Sequence, residues 1–210
     1  MTQARVQAGV PAGGQFMDKL HDDPGVILTR YATMQTNAPL ERLKLSPSAR
    51  QIGFIPLGAA EGYFDFDPPY QRGDVWGAVR RKNLIRSLLQ GIPVPSLIIN
   101  DRMRSFDDYQ LDQPMYAVID GKQRMRTVLD FYNSDLAVPA SWFEPDRVES
   151  TENTDDGPYI RYSGLTKVGQ RQFSNIPIGV IEGSLSSLEE EAEVFELVNF
   201  GGVPQGETDL

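Results

Sequence analysis

The chain has 210 residues, a formal net charge of −9 at pH 7 and no cysteine. Without cysteine it cannot form a disulfide framework, a thiol nucleophile or a zinc–thiolate site, and this composition is typical of a cytosolic protein. The sequence contains no signal-peptide core and no apolar run near the roughly 18 residues that a membrane helix needs, which predicts a cytoplasmic protein without a membrane segment.

The N-terminal part of the chain is predicted to contribute little to the core. Residues 1–16 are rich in Gly, Ala and Gln, and we expect them to form a flexible arm. Apolar residues scattered through 22–45 favour one or two short helices. We therefore predict three segments, namely an arm over residues 1–20, a helical extension over 21–58 and the main domain over 59–210.

Strand and helix patterns alternate in the first half of the main domain. Residues 53–66 are predicted to be extended, because Tyr63–Phe66 has a strand-like composition and Pro68-Pro69 cannot continue a ladder. Residues 78–90 are predicted to form a helix that ends at Gly91. The apolar stripe of this helix consists of Leu84, Ile85, Leu88 and Leu89. The next predicted elements are a buried strand over 96–100 and a polar hairpin loop over 102–114.

A strand–turn–helix junction is predicted around Asp120-Gly121. An apolar run over 115–119 stops at this dipeptide, and a helical pattern starts at Lys122. The core positions of that helix are Met125, Val128, Leu129 and Tyr132. The first N–H groups of a helix have no partner within it, so together with the helix dipole they favour a bound anion.

The last third of the chain is acidic, with four Lys or Arg against fifteen Asp or Glu over residues 131–210. Its first predicted element is a loop-rich stretch over 134–164 with an exposed tip at 153–157, followed by a helix over 165–173 and a strand over 178–181. A capping box at Ser187–Glu190 starts a helix that is predicted to continue through Val198, and a sharp turn is predicted from Asn199. Strands and helices mixed in this way predict an α+β fold.

Tyr70-Gln71-Arg72, followed by Trp76, is the first group of residues that could carry chemistry. A guanidinium forms bidentate hydrogen bonds with phosphate, and the neighbouring amide can orient a hydroxyl or a water. The structural alternative is that Arg72 pairs with Asp74 or another carboxylate and that Trp76 simply belongs to the core.

The second group is the string Asp120, Gly121, Lys122, Gln123 and Arg124. Asp120 could cap the helix, bind a magnesium ion or polarise a water, and the sequence leaves these three roles open. A carboxylate, an amine, an amide and a guanidinium at one helix start are more than a fold requires. The complete string therefore favours a functional site.

A basic cluster lies on the helix predicted over 78–90, and its members are Arg80, Arg81, Lys82 and Arg86. These side chains are candidates for contact with DNA phosphates. The alternative is a solvated helix face, or a surface that docks onto the acidic last third, and the sequence slightly favours this alternative.

Four motifs resemble, in order and spacing, the N-terminal domain of GmrSD-type, modification-dependent restriction enzymes. They are Pro69–Arg72 with Trp76, Ser87–Pro93, the Asp-Gly-x-Gln-Arg string at 120–124, and the Asn-x-Gly-Gly-x-Pro element at 199–204. That domain is a distant relative of the ParB/sulfiredoxin fold, so the resemblance implies a small mixed sheet with surrounding helices. Lys122 stands where the family usually has Gln.

The resemblance also implies a function, namely the binding and Mg-dependent hydrolysis of a nucleoside triphosphate, linked to DNA restriction or to phage–host defence or counter-defence. It assigns Asp120, Gln123 and Arg124 to catalysis, with Asp120 also as the metal ligand. It assigns Tyr70, Gln71, Arg72, Gly121, Lys122 and Asn199 to nucleotide and phosphate binding. Lys122 adds a charge for phosphate but removes the usual amide. If the protein is phage-encoded, the expected location is the host cytoplasm.

Other functions remain open at this point. A catalytically silent module of phage origin could keep the pocket and bind DNA or a host defence protein, alone or as a homodimer. The wider fold also allows a ParB-like nuclease or a nucleotide kinase. A histidine-dependent nuclease is not expected within these residues, because the one histidine, His21, lies beside Asp22 and Asp23, and no P-loop pattern is present.

Overall fold

The structure, a computed structural model, describes residues 39–71 and 76–200. The strands are β1 (Leu45–Gln51), β2 (Phe64–Asp65), β3 (Leu97–Asp101), β4 (Tyr116–Asp120), β5 (Val138–Pro139), β6 (Glu152–Thr154), β7 (Gly157–Ile160) and β8 (Pro177–Gly183). The helices are α1 (Phe54–Ala60), α2 (Ala78–Leu89), α3 (Arg102–Ser105), α4 (Lys122–Tyr132), α5 (Lys167–Ser174) and α6 (Leu188–Phe200). Within the described residues, no helix combines the length and the apolar character needed to cross a bilayer.

Five strands form the main sheet in the order β1-β8-β3-β4-β2. The pairs β1–β8 and β3–β4 are antiparallel, whereas β8–β3 and β4–β2 are parallel, so the sheet is mixed. A mixed sheet combined with helices confirms the predicted α+β class. The finer expectation of a ParB/sulfiredoxin-like arrangement stays a prediction.

Both faces of the central strands are buried under helices. On β3, Leu97 and Ile99 join one hydrophobic cluster while Ile98 between them joins a second, because successive side chains of a strand point to opposite faces. The first cluster contains the buried apolar side chains of α2 and α4, and the second contains those of α6. The sheet is therefore the middle layer between two sets of helices.

Most elements from α2 onwards lie where the sequence predicts them. The helix predicted over 78–90 is α2, which buries Leu84, Ile85 and Leu88 and is followed by Gly91 with a φ of 69°. Five further elements match their predicted ranges within two residues, namely the strands β3, β4 and β8 and the helices α4 and α5. The polar hairpin loop over 102–114 is confirmed as well, although it begins with the single turn α3.

The prediction of extended structure over 53–66 was wrong for residues 54–60, which form α1. The sequence of this helix is apolar nearly throughout, so it carries no clear period that would separate a helix from a strand. Pro56 lies in the first turn, where its missing N–H costs no hydrogen bond. Ile55 and Gly58 are buried against the core, and this packing stabilises the short helix.

Residues before 59 also contribute to the main sheet, because β1 pairs with β8 along its whole length. The helices predicted over 22–45 lie mostly outside the described residues, as does the arm over 1–16. For residues 39–44 the prediction was wrong, since they have no regular structure. An edge strand such as β1 is polar and exposed, so it lacks the apolar alternation that reveals buried strands.

Two further differences concern the last third. The stretch 134–164, predicted to be loop-rich, contains a second sheet in the order β5-β7-β6, whose exposed β6–β7 turn confirms the predicted tip. The turn predicted from Asn199 was wrong for that residue, which lies in the last turn of α6. Asn199 Nδ2 donates to the Phe195 carbonyl oxygen at 2.8 Å, and this bond keeps the residue on the helix. Residues 201–204 lie outside the described part.

Candidate functional site

A pocket of about 380 Å³ lies where β4 ends and α4 begins. Its lining residues are Gln71, Trp76, Arg80, Ile119, Asp120, Gly121, Lys122, Gln123, Arg124, Phe195 and Asn199. Both groups singled out in the sequence therefore contribute to one cavity, together with residues of α2 and α6. The volume falls within the range of about 300–1,000 Å³ that is typical of small-molecule sites.

Gly121 makes the turn between β4 and α4. Its φ is 98°, a region that favours glycine, and a Cβ atom at this position would overlap with Leu97 Cδ2. Gly121, the N-cap residue of α4, has no side chain that could cap the helix, and among the described residues the Asp120 carboxylate accepts from Arg124 rather than from a backbone N–H of α4. The interpretation of Asp120 as a helix cap was therefore wrong, and a helix start of this kind favours an anion.

Asp120 pairs with Arg124 across this helix start. Arg124 Nη2 donates to Asp120 Oδ2 at 2.6 Å and to the Ser96 carbonyl oxygen at 3.2 Å. Arg124 Nε is buried and has no acceptor among the residues that the structure describes. Because an unpaired buried donor costs about 1–3 kcal/mol, an acceptor atom supplied by a ligand would be favourable at this point.

Gln71 reaches the pocket from the segment that follows β2. Its Nε2 donates to the carbonyl oxygens of Val118 and Ile119 at 2.6 and 3.1 Å, which ties this segment to β4. Its Oε1 is buried and finds no donor within residues 39–71 and 76–200. Arg72 lies outside the described residues, so its role in phosphate binding stays a prediction.

Lys122 is buried, and its ammonium forms an ion pair with Asp67. Asp67 also accepts a hydrogen bond from Arg126 Nη2 at 3.2 Å. The hydrogen bond from Lys122 holds the pKa of the Asp67 carboxyl below its usual value. The Lys122 ammonium, which is predicted to contact a phosphate, therefore already pairs with a carboxylate of the protein.

The pocket lining includes three residues that contact one another through Trp76, namely Trp76 itself, Arg80 and Gln123. The Trp76 backbone N–H donates to Gln123 Oε1 at 3.3 Å, and the Arg80 guanidinium lies 4.3 Å from the centroid of the Trp76 ring, which is cation–π geometry. Among the described lining residues, three cationic side chains face a single carboxylate. The described lining therefore has more cationic than anionic side chains in a chain whose net charge is −9, although Asp67 and Asp120 pair with two of the three cations.

Phe195 and Asn199 bring α6 into the pocket. They are four residues apart, so they lie on one face of the helix. Phe195 is half-buried, and its ring centroid lies 5.6 Å from that of Tyr70. Asn199 is a candidate residue from the sequence, whereas Phe195 is not. The spacing of four residues from Asn199 is the signal that would have identified it.

Tyr70, a predicted nucleotide contact, lies behind the pocket and is absent from its described lining. The side chain is buried, and its hydroxyl donates to Glu191 Oε2 at 3.0 Å. Burial, together with the negative charge of Glu191, raises the pKa of Tyr70. The phenol therefore stays protonated and acts as a hydrogen-bond donor.

Glu191 is the centre of a buried polar network that the sequence analysis did not find. It accepts hydrogen bonds from Arg102 Nε and Nη2 at 2.8 and 2.6 Å and from Asn100 Nδ2 at 2.8 Å. Arg102 Nη1 also pairs with Asp65 at 2.8 Å. Although burial alone lowers the pKa of Arg102, the hydrogen bonds and charges of these carboxylates raise it. The network ties α6 to β2 and β3.

The members of the basic cluster on α2 have different neighbours. Arg81 pairs with Asp130 at 2.9 Å, and the Lys82 ammonium lies 4.6 Å from the centroid of the Tyr159 ring. Arg86 lines a separate cavity of about 280 Å³, whereas Arg80 belongs to the site described above. The assignment of this cluster to DNA contact stays a prediction.

Asp120 is the one carboxylate in the described lining of the pocket. No group of three His, Cys, Asp or Glu residues that could hold a metal occurs in the part of the chain that the structure describes. Magnesium, however, commonly binds through one or two carboxylates together with the phosphates of a substrate. The residues present therefore fit a magnesium ion that arrives with a nucleotide.

Comparison with curated proteins and with solved structures found no match. One family model does match the chain, and its description is the N-terminal domain of the GmrSD restriction endonuclease. The match extends over residues 57–210, which include every described residue of the pocket. The chain therefore belongs to the GmrSD restriction endonuclease N-terminal domain family, which implies a role in restriction or phage defence.

Proposed function

We propose that the pocket binds a nucleoside triphosphate and hydrolyses it in the presence of magnesium. One observation carries the proposal, namely that Gln71 and the string from Asp120 to Arg124 line a single cavity. Three properties of that cavity suit a polyphosphate: its three cationic side chains, its position at the start of α4, and the buried Arg124 Nε, which has no acceptor among the described residues.

Each residue has a role in this proposal. The first N–H groups of α4 and the Arg124 guanidinium contact the phosphates and offset the charge that develops during transfer. Gln123 positions the attacked phosphate, and Asp120 holds the magnesium ion or accepts a proton from the attacking water. When bound, magnesium neutralises charge on the phosphate oxygens.

Hydrolysis in this pocket requires that the Asp120–Arg124 pair open. The water oxygen bonds to the terminal phosphorus, the bridging oxygen leaves with the rest of the nucleotide, and the water proton passes to Asp120 or to solvent. In the structure, Asp120 Oδ2 is engaged by Arg124 at 2.6 Å. Because Arg124 can exchange this carboxylate for a phosphate oxygen, ligand binding and the release of Asp120 are expected to occur together.

The test is phosphate release from ATP, GTP, CTP and UTP with magnesium, measured with and without DNA. We expect release from the wild type and its loss in Arg124→Ala. Arg126→Ala is the matched control, because Arg126 lies on the same helix, pairs with Asp67 and is absent from the pocket lining. Equal release from both variants would show that the activity does not arise in this pocket.

A second candidate is a pocket that binds a nucleotide without turnover and acts through DNA or a protein partner. The ion pairs Lys122–Asp67 and Arg124–Asp120 favour this candidate, because they already neutralise two of the cations that hydrolysis would use. Nucleotide-dependent thermal stabilisation without phosphate release would select it. If neither stabilisation nor release is observed, both proposals are wrong.

A further inference from the structure

We propose that Phe195 stacks on the base of the bound nucleotide, so that α6 recognises the base while the start of α4 holds the phosphates. This inference rests on the proposed function and extends it to a residue outside the sequence motifs. It predicts that the ligand is a nucleotide rather than an inorganic polyphosphate, because a bare polyphosphate has no ring to place against Phe195.

Two described aromatic side chains line the pocket, and the structure distinguishes between them. The Trp76 ring is already in contact with the Arg80 guanidinium, which lies 4.3 Å from the ring centroid. Phe195 is half-buried, its ring centroid lies 5.6 Å from that of the buried Tyr70 ring, and it lines the cavity as well. An aromatic ring that packs against a second ring and also lines a cavity suits stacking with a planar base.

The buried network holds Phe195 in place for this role. Glu191, Phe195 and Asn199 follow each other at intervals of four residues, so they share one face of α6. Glu191 fastens that face to the sheet through Arg102 and Asn100 at 2.6–2.8 Å. A wall fixed in advance of binding loses little conformational entropy when the ligand arrives.

Asn199 adds polar recognition beside the ring. Its Nδ2 donates to the Phe195 carbonyl oxygen at 2.8 Å, and this bond defines which end of the amide is the oxygen. The Oδ1 atom can therefore accept a hydrogen bond from a ligand. Bases carry N–H donors, whereas ionised phosphates carry none, so this atom is better suited to the edge of a base.

The test compares the affinities of ATP, GTP, CTP, UTP and inorganic triphosphate, each with magnesium, by titration calorimetry. For the best-bound nucleotide, we expect Phe195→Ala to weaken binding roughly 5- to 150-fold. The affinity for inorganic triphosphate should change less than twofold. Phe195→Trp should restore nucleotide binding because it restores an aromatic face, while Phe195→Leu, which retains bulk without a ring, should not.

Leu197→Ala is the control on the same helix, because Leu197 is exposed and does not line the pocket. Equal weakening of nucleotide and triphosphate in Phe195→Ala, or full nucleotide affinity in Phe195→Leu, would overturn the stacking role but leave the phosphate site intact. If wild-type protein binds triphosphate as tightly as any nucleotide, the base is not recognised. If it binds neither, the proposed function fails together with the inference.

Discussion

The Tyr70 hydroxyl donates to Glu191 Oε2 at 3.0 Å, and this buried bond joins the segment before the pocket to α6. Gln71, the next residue, lines the pocket, and Phe195 lies one helical turn beyond Glu191. Parts of two walls of the cavity are therefore positioned by a single carboxylate. Since Glu191 is fully buried, its hydrogen bonds with Tyr70, Asn100 and Arg102 take the place of those with water.

Replacing Glu191 should strongly destabilise the protein. In Glu191→Ala the Arg102 guanidinium would keep its hydrogen bond to Asp65 but lose both hydrogen bonds to Glu191. Removing one partner of a buried ion pair typically lowers the free energy of unfolding by about 3–5 kcal/mol, which urea denaturation can measure. Glu193→Ala, at an exposed position of the same helix, should change it by less than about 0.5 kcal/mol. Similar losses in both variants would contradict a central role for Glu191.

Alanine substitutions at Gly121 and Gly157 separate the cost of backbone strain from the cost of steric overlap. Gly121 and Gly157 both have φ near 100°, but only at Gly121 would a Cβ atom overlap with a neighbour. Gly157→Ala should therefore cost about 1–2 kcal/mol from backbone strain alone. Gly121→Ala should cost about 1–3 kcal/mol more, because Leu97 and Arg124 must shift. Equal losses in thermal or urea unfolding would argue against this close packing.

The sequence identified the site best where local chemistry determines the structure. The break in the apolar run at Asp120-Gly121 predicts the β4–α4 junction, because only a tight turn with glycine joins the two elements there. The spacing of Leu84, Ile85 and Leu88 predicts α2 for a similar reason, since one buried stripe defines a helix.

Features that depend on tertiary contacts were not predictable in this way. The ion pair between Lys122 and Asp67 joins residues from different elements, and nothing in either local sequence specifies the partner. Glu191 stands in a run of glutamates that all look exposed, yet only the fold places it against Arg102. β1 is mostly exposed, and its pairing with β8 becomes visible only in the sheet.

Lys122→Gln, which installs the residue usual in the family, should distinguish a phosphate contact from a structural one. The variant removes the hydrogen bond that lowers the pKa of Asp67, so that pKa should return upwards towards its ordinary value in an NMR titration. Because Asp67 is 70% exposed, the free energy of unfolding should fall by less than about 1 kcal/mol. If Lys122 also contacts phosphate, the variant should bind triphosphate more weakly than the wild type. An unchanged affinity for triphosphate would show that the Lys122 ammonium serves only to pair with Asp67.

The attachment of β1 should depend on pH through Glu182. Arg50 binds both carboxylate oxygens of Glu182, at 3.1 Å from Nε and 2.9 Å from Nη2. Although burial raises the pKa of Glu182, the hydrogen bonds from Arg50 and Ser48 hold it below its usual value. A carboxyl whose pKa is lowered by folding stabilises the protein above its unfolded pKa of about 4.3. That stabilisation is lost as the pH falls through the folded pKa.

Glu182→Gln should therefore lower the free energy of unfolding by up to about 1 kcal/mol near neutral pH, with a difference that disappears in acid. Amide hydrogen exchange should locate the loss in β1, because this edge strand pairs only with β8 within the described sheet. Glu193→Gln provides the comparison at an exposed position of the chain. A stability difference that persists unchanged below the folded pKa would show that packing, rather than the ion pair, holds β1 to the sheet.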